Sequence, residues 1–216
     1  MKLIASVLHL DRPAIKALRI TDPYSLHRVV YSLFDDVRSD TQKSAGQSSG
    51  ILYADQGGDF HERKIILLSN RPPHNNINDF TIEIHSRLIS KEFLEHQKYR
   101  FKIIINPTRR DNNTHKLTPI KGREAIAAWF LDRGPKNWGF IPSIEHLQID
   151  RIEVLQFQDK SQRPITLAQA HIQGQLMVIA REQFQHSFTM GIGRGRAFGC
   201  GLLQIVPLLE NPFPSF

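Results

Sequence analysis

The order of predicted elements indicates an α+β fold built from two successive β-α-β-β-α-β passes. Stretches of strand-like apolar alternation recur along the chain, and polar or proline-rich segments separate them. A strand–helix pattern then restarts near residue 99. No fixed-period sequence repeat accompanies this repeat of architecture. At 216 residues the chain is long enough to bury a real core, as one domain or as two small ones.

The first pass begins with a strand at 2–9. Asp22-Pro23 opens a helix that runs to about Val37, because aspartate caps a helix and proline suits its first turn. Residues 39–50 are polar and rich in turn formers, and they are predicted as a loop. Three strands and a proline-broken loop complete this β-α-β-β-loop-β pattern: 51–55, 63–69 and 80–89 for the strands, and 71–79 for the loop.

The second pass starts with a strand at 99–105 that ends at Asn106-Pro107, followed by a basic polar loop at 108–116. A helix at 122–134 places Ile126, Trp129 and Phe130 on one face, and Gly134-Pro135 is its predicted stop. The remaining elements are a hairpin of two strands, a short helix and a closing strand: 149–159, 165–179, 181–190 and 202–208.

Two such passes correspond to two tandem ferredoxin-like (RRM-like) β-α-β-β-α-β domains. We assign the N-terminal domain to residues 1–92 and the C-terminal domain to residues 97–208. A proline-broken tail, 209–216, is expected to be disordered.

The helix that begins at Asp22 is amphipathic. At about 100° per residue, its aliphatic side chains share one face, predicted to be buried: Leu26, Val29, Val30, Leu33 and Val37. The opposite face presents polar and aromatic groups: Tyr24, His27, Arg28 and Tyr31. An imidazole whose ordinary pKa is ~6.5 accepts or donates a proton near neutral pH, and both roles stay open for His27. A histidine on an exposed helix face is more often simply solvated.

A second feature is the segment GIGRGRAFGCGLL at 191–203. It contains closely spaced glycines at Gly191, Gly193, Gly195, Gly199 and Gly201. A glycine loop with exposed N–H groups and two arginines, Arg194 and Arg196, suits a phosphate backbone. It is not a dinucleotide fingerprint, because Arg196 stands where GxGxxG needs glycine and a strand follows. The alternative is a loop that merely needs small residues.

The overall charge agrees with a polyanionic partner. Lysine and arginine total 28 against 21 acidic residues, giving a formal charge of +7 and a pI near 9.7. Such a basic chain is a candidate for binding nucleic acid or an acidic membrane surface, although an ordinary basic enzyme has the same signature.

No stretch approaches the ~18 apolar residues of a membrane span. The N-terminus lacks a convincing signal peptide.

Cysteine and histidine usage gives further expectations. Cys200 is the sole cysteine, so the sequence offers no internal disulfide and fits a reducing cytoplasm. The ten histidines include no HExxH motif. Asp35, Asp36 and Asp111 are better interpreted as solvated or capping acids than as a two-metal nuclease centre. We therefore expect no metal, no cofactor and no small-molecule substrate.

Three blocks, in order, resemble the CRISPR repeat-processing endoribonucleases, specifically the CasE branch that belongs to the Cascade complex of type I-E systems. They are DPYSLHRVVYSLF (22–34), YRFKIIINPTRR (99–110) with PIKGREAIAAWFLDR (119–133), and GIGRGRAFGCGLLQIVPL (191–208). Residues 39–96 and the tail after Leu208 match least well.

The resemblance implies a metal-independent enzyme that cleaves precursor CRISPR RNA within each repeat, at the 3′ base of a stem-loop. The ribose 2′-OH attacks the adjacent phosphate and leaves a 2′,3′-cyclic phosphate and a 5′-OH. The enzyme then stays on the hairpin beside the other Cascade subunits. One alternative is a catalytically inactive clamp for the RNA hairpin. Another is a generic single-strand binder, which would favour the RNP1 pattern that RKIILLS and RFKIIIN lack.

The same resemblance implies roles for particular residues. His27 is the expected catalytic residue, and Tyr24, which matches the family's tyrosine, orients the 2′-OH or stabilises charge. Arg28 is placed to hold the scissile phosphate bidentately. Arg194 and Arg196, with the N–H groups of Gly191, Gly193 and Gly195, are expected to hold backbone phosphates near the cut.

The hairpin around residues 156–163 looks like the family's hairpin that enters the groove of the repeat stem. Lys160 and Arg163 fit that role, and Gln156 and Gln158 are expected to read base edges, although this tip is less basic than the family's pattern. A-form RNA has a narrow major groove, so insertion needs the groove to widen. A further basic cluster either contacts RNA or is a solvated loop: Arg109, Arg110, Lys116, Lys121 and Arg123.

Overall fold

A computed structural model describes residues 2–59, 61–77, 80–111, 113 and 115–208. The predicted tail, 209–216, lies outside the described residues. Each half of the described chain forms one antiparallel sheet with the strand order of a ferredoxin-like unit. The predicted α+β fold class is therefore confirmed.

The N-terminal half forms a four-stranded sheet of order β2-β3-β1-β6, with a small β4–β5 hairpin beside it. Its strands are Ile4–Asp11 (β1), Ile51–Gly58 (β2), Glu62–Ser69 (β3), Asn76–Ile77 (β4), Phe80–Thr81 (β5) and Glu83–Leu88 (β6). Its helices are Arg12–Ala17 (α1), Pro23–Ser32 (α2) and Asp40–Ser44 (α3). The aliphatic face of α2 packs on the sheet, where Leu26, Val29 and Val30 meet Leu8 and Leu10.

Three predictions for this half were wrong in detail. Helix α2 ends at Ser32 rather than near Val37, because the chain turns at Leu33 into the core and leaves Val37 67% exposed. Helix α1 was missed, although Asp11 caps it through Ala14 N at 2.7 Å. The polar loop at 39–50 contains α3, which begins with a Ser39 capping box.

The C-terminal half forms a five-stranded sheet in which β10, β12, β7 and β13 lie in that order and β11 also pairs with β12. Its strands are Lys98–Ile105 (β7), Phe140–Pro142 (β10), Gln148–Gln158 (β11), Pro164–Val178 (β12) and Gln204–Pro207 (β13). A separate small hairpin joins Thr108–Arg110 (β8) to Leu117–Pro119 (β9). The helices are Arg123–Arg133 (α4) and Arg181–Met190 (α5).

Two predictions for this half also need correction. The basic loop at 108–116 is bounded by a strand, since β8 pairs with β9 from Thr108 to Arg110. The predicted stop at Gly134-Pro135 does not end the helical path, which continues as a π-helical turn through Trp138. Pro135 stands in the first turn of this segment, where the missing proline N–H is tolerated.

The two halves share an apolar interface. Leu52, Ala54 and Leu68 of the N-terminal sheet belong to the same buried cluster as Phe101 and Ile104 of the C-terminal sheet. Where the two halves meet, a short 3₁₀ helix, Arg196–Phe198, packs against α2. The fold thereby places helix α2 in contact with the glycine segment, the two features noted in the sequence.

Candidate active site and RNA-binding surface

Helix α2 is anchored at its first turn, which fixes the side chains of its polar face. Asp22 Oδ1 accepts from Ser25 N at 2.6 Å, and Ser25 Oγ accepts from Asp22 N at 2.9 Å. Pro23 occupies the first turn, as predicted. Tyr24 and His27 are half-buried, while Arg28 is exposed. The face expected to point outward therefore meets the C-terminal half around His27 and is solvent-facing at Arg28.

His27 is held by a backbone carbonyl from the other half of the chain. Its Nδ1 lies 2.8 Å from the oxygen of Ala197, a residue 170 positions away. Because a carbonyl oxygen only accepts hydrogen bonds, Nδ1 is the protonated nitrogen. The neutral ring then carries its lone pair on Nε2. Burial lowers the pKa of His27, and the bond to Ala197 offsets part of that shift.

Aromatic rings surround the imidazole. Its ring centroid lies 6.1 Å from that of Tyr24, 4.2 Å from that of Tyr31 and 5.7 Å from that of Phe198. Phe198 also packs edge-on against Phe157, near the turn of the β11–β12 hairpin, with centroids 4.8 Å apart. The structure thus brings Tyr24 beside His27 and links both to the predicted RNA-binding hairpin.

The glycine segment supplies this carbonyl and is itself tightly folded. Phe198 N donates to Gly195 O at 2.8 Å, which closes the 3₁₀ turn around Ala197. Gly191 N donates to Ser187 O at 3.0 Å and ends α5, so that N–H is engaged within the protein. Arg196 Nη1 donates to Met190 O at 2.7 Å, although its side chain remains exposed.

The rest of the segment is more open to solvent. Gly193 and Arg194 are exposed, and Gly195 is half-buried. Arg194 forms an isolated β-bridge with Asn106, two residues before β8 begins. The bridge places Arg194 next to the base of the basic β8–β9 hairpin.

The tip of the β11–β12 hairpin is built around Asp159. Its Oδ1 accepts from Ser161 N at 2.8 Å and from Arg163 N at 3.0 Å, and these bonds hold the pKa of Asp159 below its ordinary value. Arg163 Nε donates to Asp159 Oδ2 at 3.0 Å. Lys160 and Arg163 are exposed, so the tip presents two cations, one of which is paired with Asp159.

Gln156 and Gln158 are both exposed on β11. Alternate residues of a strand lie on the same face, so the two amides point to the same side of the hairpin. The reading of base edges by these two amides stays a prediction.

The basic cluster at 109–123 divides into two parts. Arg109, Arg110, Lys116 and Lys121 are exposed, and Arg110 Nη1 donates to His115 O at 2.9 Å. Arg123 instead bonds the carbonyl oxygens of Ile149 and Asp150, which ties α4 to β11. Arg123 therefore has a structural contact inside the C-terminal half.

Tyr53 is a site residue that the sequence did not reveal. Its hydroxyl donates to Ala197 O at 2.9 Å, so this carbonyl receives two donors, one from His27 and one from Tyr53. Tyr53 lies 144 residues from Ala197, and no local motif signals such a contact.

Cys200 is buried, and burial raises the pKa of its thiol to about 12. A thiol in this state is a poor nucleophile.

Within the described ranges, no group of three or more His, Cys, Asp or Glu side chains is arranged to hold a metal ion. No helix in this part of the chain is long and apolar enough to cross a membrane.

Fold and site together define a class: a tandem ferredoxin-like protein with a histidine site where its halves meet and basic elements around it. The chain belongs to the CRISPR associated protein family, whose sequence model matches residues 3–207. The resemblance found in the sequence is confirmed.

One similar protein is the CRISPR-associated endoribonuclease Cse3 of Thermus thermophilus. It is 28% identical over 120 residues, or 51% of this chain. The matched region covers 56% of that protein's own length.

Solved structures share the fold over nearly the whole chain. CRISPR endoribonuclease Cse3 bound to a 19-nucleotide RNA superposes with a TM-score of 0.78 at 20% identity, covering 96% of this chain and 100% of the other. A chain of a CRISPR RNA-guided surveillance complex gives 0.67 at 16% identity, covering 95% and 100%.

Proposed function

We propose that the protein is a metal-independent endoribonuclease that cleaves precursor CRISPR RNA within its repeats, at the 3′ base of a stem-loop. In this reaction the 2′-oxygen bonds to the adjacent phosphorus and the bond from phosphorus to the 5′-oxygen breaks. The products carry a 2′,3′-cyclic phosphate and a 5′-OH. Because the nucleophile belongs to the RNA, the protein has to supply proton transfer and charge stabilisation, with no cofactor.

The observation that carries this proposal is the fixed tautomer of His27. Nδ1 is committed to Ala197 O at 2.8 Å, so Nε2 is the nitrogen that accepts the 2′-OH proton. A pKa lowered by burial keeps the ring neutral, which is the form a general base needs. Sequence reasoning left the acid and base roles open, and the geometry favours the base. Tyr24 is the neighbouring hydroxyl that orients the 2′-OH or stabilises charge.

RNA binding is assigned to four parts of the protein: the β11–β12 tip, Arg28 of α2, the glycine segment and the basic β8–β9 hairpin. The hairpin tip inserts Lys160 and Arg163 into the stem's groove and presents Gln156 and Gln158 to base edges. Arg28 holds the scissile phosphate. The remaining contacts to backbone phosphates come from the glycine segment and the basic hairpin: Gly193, Arg194, Gly195, Arg196, Arg109, Arg110, Lys116 and Lys121. Gly191 is left out of this set, because its N–H already donates to Ser187 O.

After cleavage the protein retains the crRNA hairpin as a subunit of Cascade in the cytoplasm. The fold shared with an RNA-bound Cse3 and with a chain of a surveillance complex supports this assignment. We assign residues 1–92 to the domain that carries His27 and residues 97–208 to the domain that carries the hairpin and the glycine segment.

The test is cleavage of an end-labelled repeat hairpin from the source organism's own CRISPR array, in excess EDTA. The wild type is compared with His27→Ala and with the control His85→Ala, which removes an exposed histidine of β6 whose Nε2 pairs with Glu83. We expect His27→Ala to lose about 10²–10⁴-fold in rate with RNA affinity retained. His85→Ala should cleave like the wild type.

Each other outcome rejects a specific part of the proposal. Tight binding without cleavage by all three proteins supports the inactive-clamp alternative. Cleavage that returns only with added metal overturns metal independence. Product ends other than a cyclic phosphate and a 5′-OH overturn attack by the 2′-oxygen.

A further inference from the structure

The carbonyl oxygen of Ala197 connects the proposed general base to a second side chain. His27 Nδ1 approaches it at 2.8 Å, and the Tyr53 hydroxyl donates to it at 2.9 Å. We propose that Tyr53 is a positioning residue, which holds this carbonyl so that His27 keeps the tautomer with a free Nε2. This inference rests on the function proposed for His27.

Tyr53 is well placed to fix another group. It is 1% exposed and lies in β2, where it pairs with Leu67 of β3 inside the N-terminal core. Such a ring has little freedom to move. Burial raises the pKa of Tyr53 well above its ordinary value, so the hydroxyl keeps its proton and remains a donor.

The 3₁₀ turn that carries Ala197 is held from both halves of the chain. Gln169 Nε2, from β12, donates to Phe198 O at 3.3 Å. On the other side the Tyr53 ring lies so close to Gly199 that a Cβ there would sit 3.2 Å from its Cε2. Tyr53 thus supports the turn from the N-terminal half independently of His27, and Gln169 supports it from the C-terminal half.

Removing the Tyr53 hydroxyl has a chemical consequence for His27. The tautomer of a neutral histidine is set by the hydrogen bond that its other nitrogen makes. Without that hydroxyl, the N-terminal half holds Ala197 O only through His27 itself, so the oxygen is freer to move away from Nδ1. The ring then populates the form protonated on Nε2, which cannot accept a proton from the 2′-OH.

The experiment compares Tyr53→Phe with a matched control, Tyr99→Phe. Tyr99 is 0% exposed and its hydroxyl donates to Phe93 O at 2.8 Å, so the control also removes a buried tyrosine–carbonyl bond. Ring-nitrogen NMR of ¹⁵N-histidine protein reports the tautomer and titration of His27 without any RNA. Single-turnover cleavage and RNA binding are measured on the same samples.

We expect Tyr53→Phe to lose part of the Nδ1–H population of His27. Its maximal cleavage rate should fall by about three- to tenfold, the effect of one hydrogen bond, with RNA affinity unchanged. Since the bond to Ala197 raises the pKa of His27, weakening it should shift the titration of His27 to lower pH. Tyr99→Phe should match the wild type in all three readouts.

The proposal is overturned if His27 in the wild type is protonated on Nε2, or if Tyr53→Phe leaves tautomer, titration and rate unchanged. Should Tyr53→Phe fail to fold, the wild type still decides: a Tyr53 hydroxyl proton that exchanges freely with water overturns the bond to Ala197. Absence of cleavage by the wild type would reject the proposed function, while the NMR result would still test the positioning.

Discussion

The hairpin tip at 158–163 and the glycine segment at 191–201 are both arginine-bearing loops of the C-terminal half, yet they are built in opposite ways. The tip organises its backbone around one carboxylate, Asp159, and leaves Lys160 and Arg163 exposed. The glycine segment turns inward, and its Ala197 carbonyl reaches His27 and Tyr53 of the N-terminal half. The tip therefore exposes charged side chains to solvent, whereas the glycine segment contributes a backbone carbonyl to the site at His27.

This difference explains why the glycines are needed. Gly201 has φ +86°, and a Cβ there would lie 2.5 Å from the oxygen of Ile192. Gly193 also has a positive φ, +73°, but the nearest atom to its Cβ would be Ile105 Cγ1 at 3.4 Å. Close packing accounts for Gly201. Gly193 is exposed and has room around it, so under the proposed function it is the glycine that approaches a phosphate.

The largest expected effect is a loss of folding stability that differs between Gly201 and Gly193. Gly201→Ala should lower the free energy of unfolding by roughly 2–4 kcal/mol, because backbone strain adds to a clash with a carbonyl. Gly193→Ala should cost about 1–2 kcal/mol, the strain alone. Urea unfolding of both variants measures the difference. Equal losses would contradict the packing role of Gly201.

The second prediction concerns pH. Cleavage should fall about tenfold for each pH unit below the pKa of His27, which lies under its ordinary value of 6.5. Lysine and arginine as residue types do not ordinarily titrate between pH 5 and 8, so RNA binding by the tip should change much less. Rate and affinity profiles from pH 5 to 8 test this, and a rate that rises on acidification would argue against a general base.

The same group couples stability to pH. The unfolded chain binds a proton on His27 more readily than the folded protein, because the folded pKa is the lower one. The stability that His27 contributes is therefore complete above 6.5 and is lost as pH falls through the folded pKa. His27→Gln should reduce this part of the pH dependence in thermal unfolding.

The third prediction concerns the charges of the tip. Lys160→Gln and Arg163→Gln should each weaken RNA binding and lower the salt slope of affinity by about 1. Folding stability should stay within about 0.5 kcal/mol for Lys160→Gln. The loss of binding should be larger for Lys160, because Asp159 already compensates Arg163. Lys43→Gln, on the exposed helix α3, serves as the control that should leave binding unchanged.

The smallest expected effect concerns base reading. Gln156→Ala or Gln158→Ala should cost about 1 kcal/mol of binding to the native repeat and less for a stem with altered base pairs. Competition binding with the two RNAs measures this discrimination. An equal loss on both stems would assign the glutamines to the backbone.

Local patterns predicted much of the fold. The alternation in β11 and β12 located the long hairpin to within a residue, and helix α5 was predicted at its observed bounds. The end of α2 was missed because apolar periodicity continues to Val37 while the chain has already turned. Asp11 and Pro13 carry a capping signal for α1, but the helix is only six residues long, too short to show an apolar period.

The candidate site was only partly accessible to sequence reasoning. Tyr24 and His27 follow from a single helix face, so their proximity was predictable. The partners of Ala197 come from 144 and 170 residues away and depend on docking of the two sheets. Every residue has a backbone carbonyl, so residue type does not show which carbonyl is an important acceptor. The contact of Tyr53 with Ala197 O therefore could not be predicted from the sequence.

The separation of His27 from Ala197 has a consequence during protein synthesis. The ribosome makes helix α2 early and reaches the carbonyl that orients its histidine 170 residues later. An emerging chain whose first sheet has already folded still lacks the hydrogen bond that selects the basic nitrogen. Under the proposed function, the general base is therefore complete only late in translation, and incomplete chains are expected not to cleave RNA.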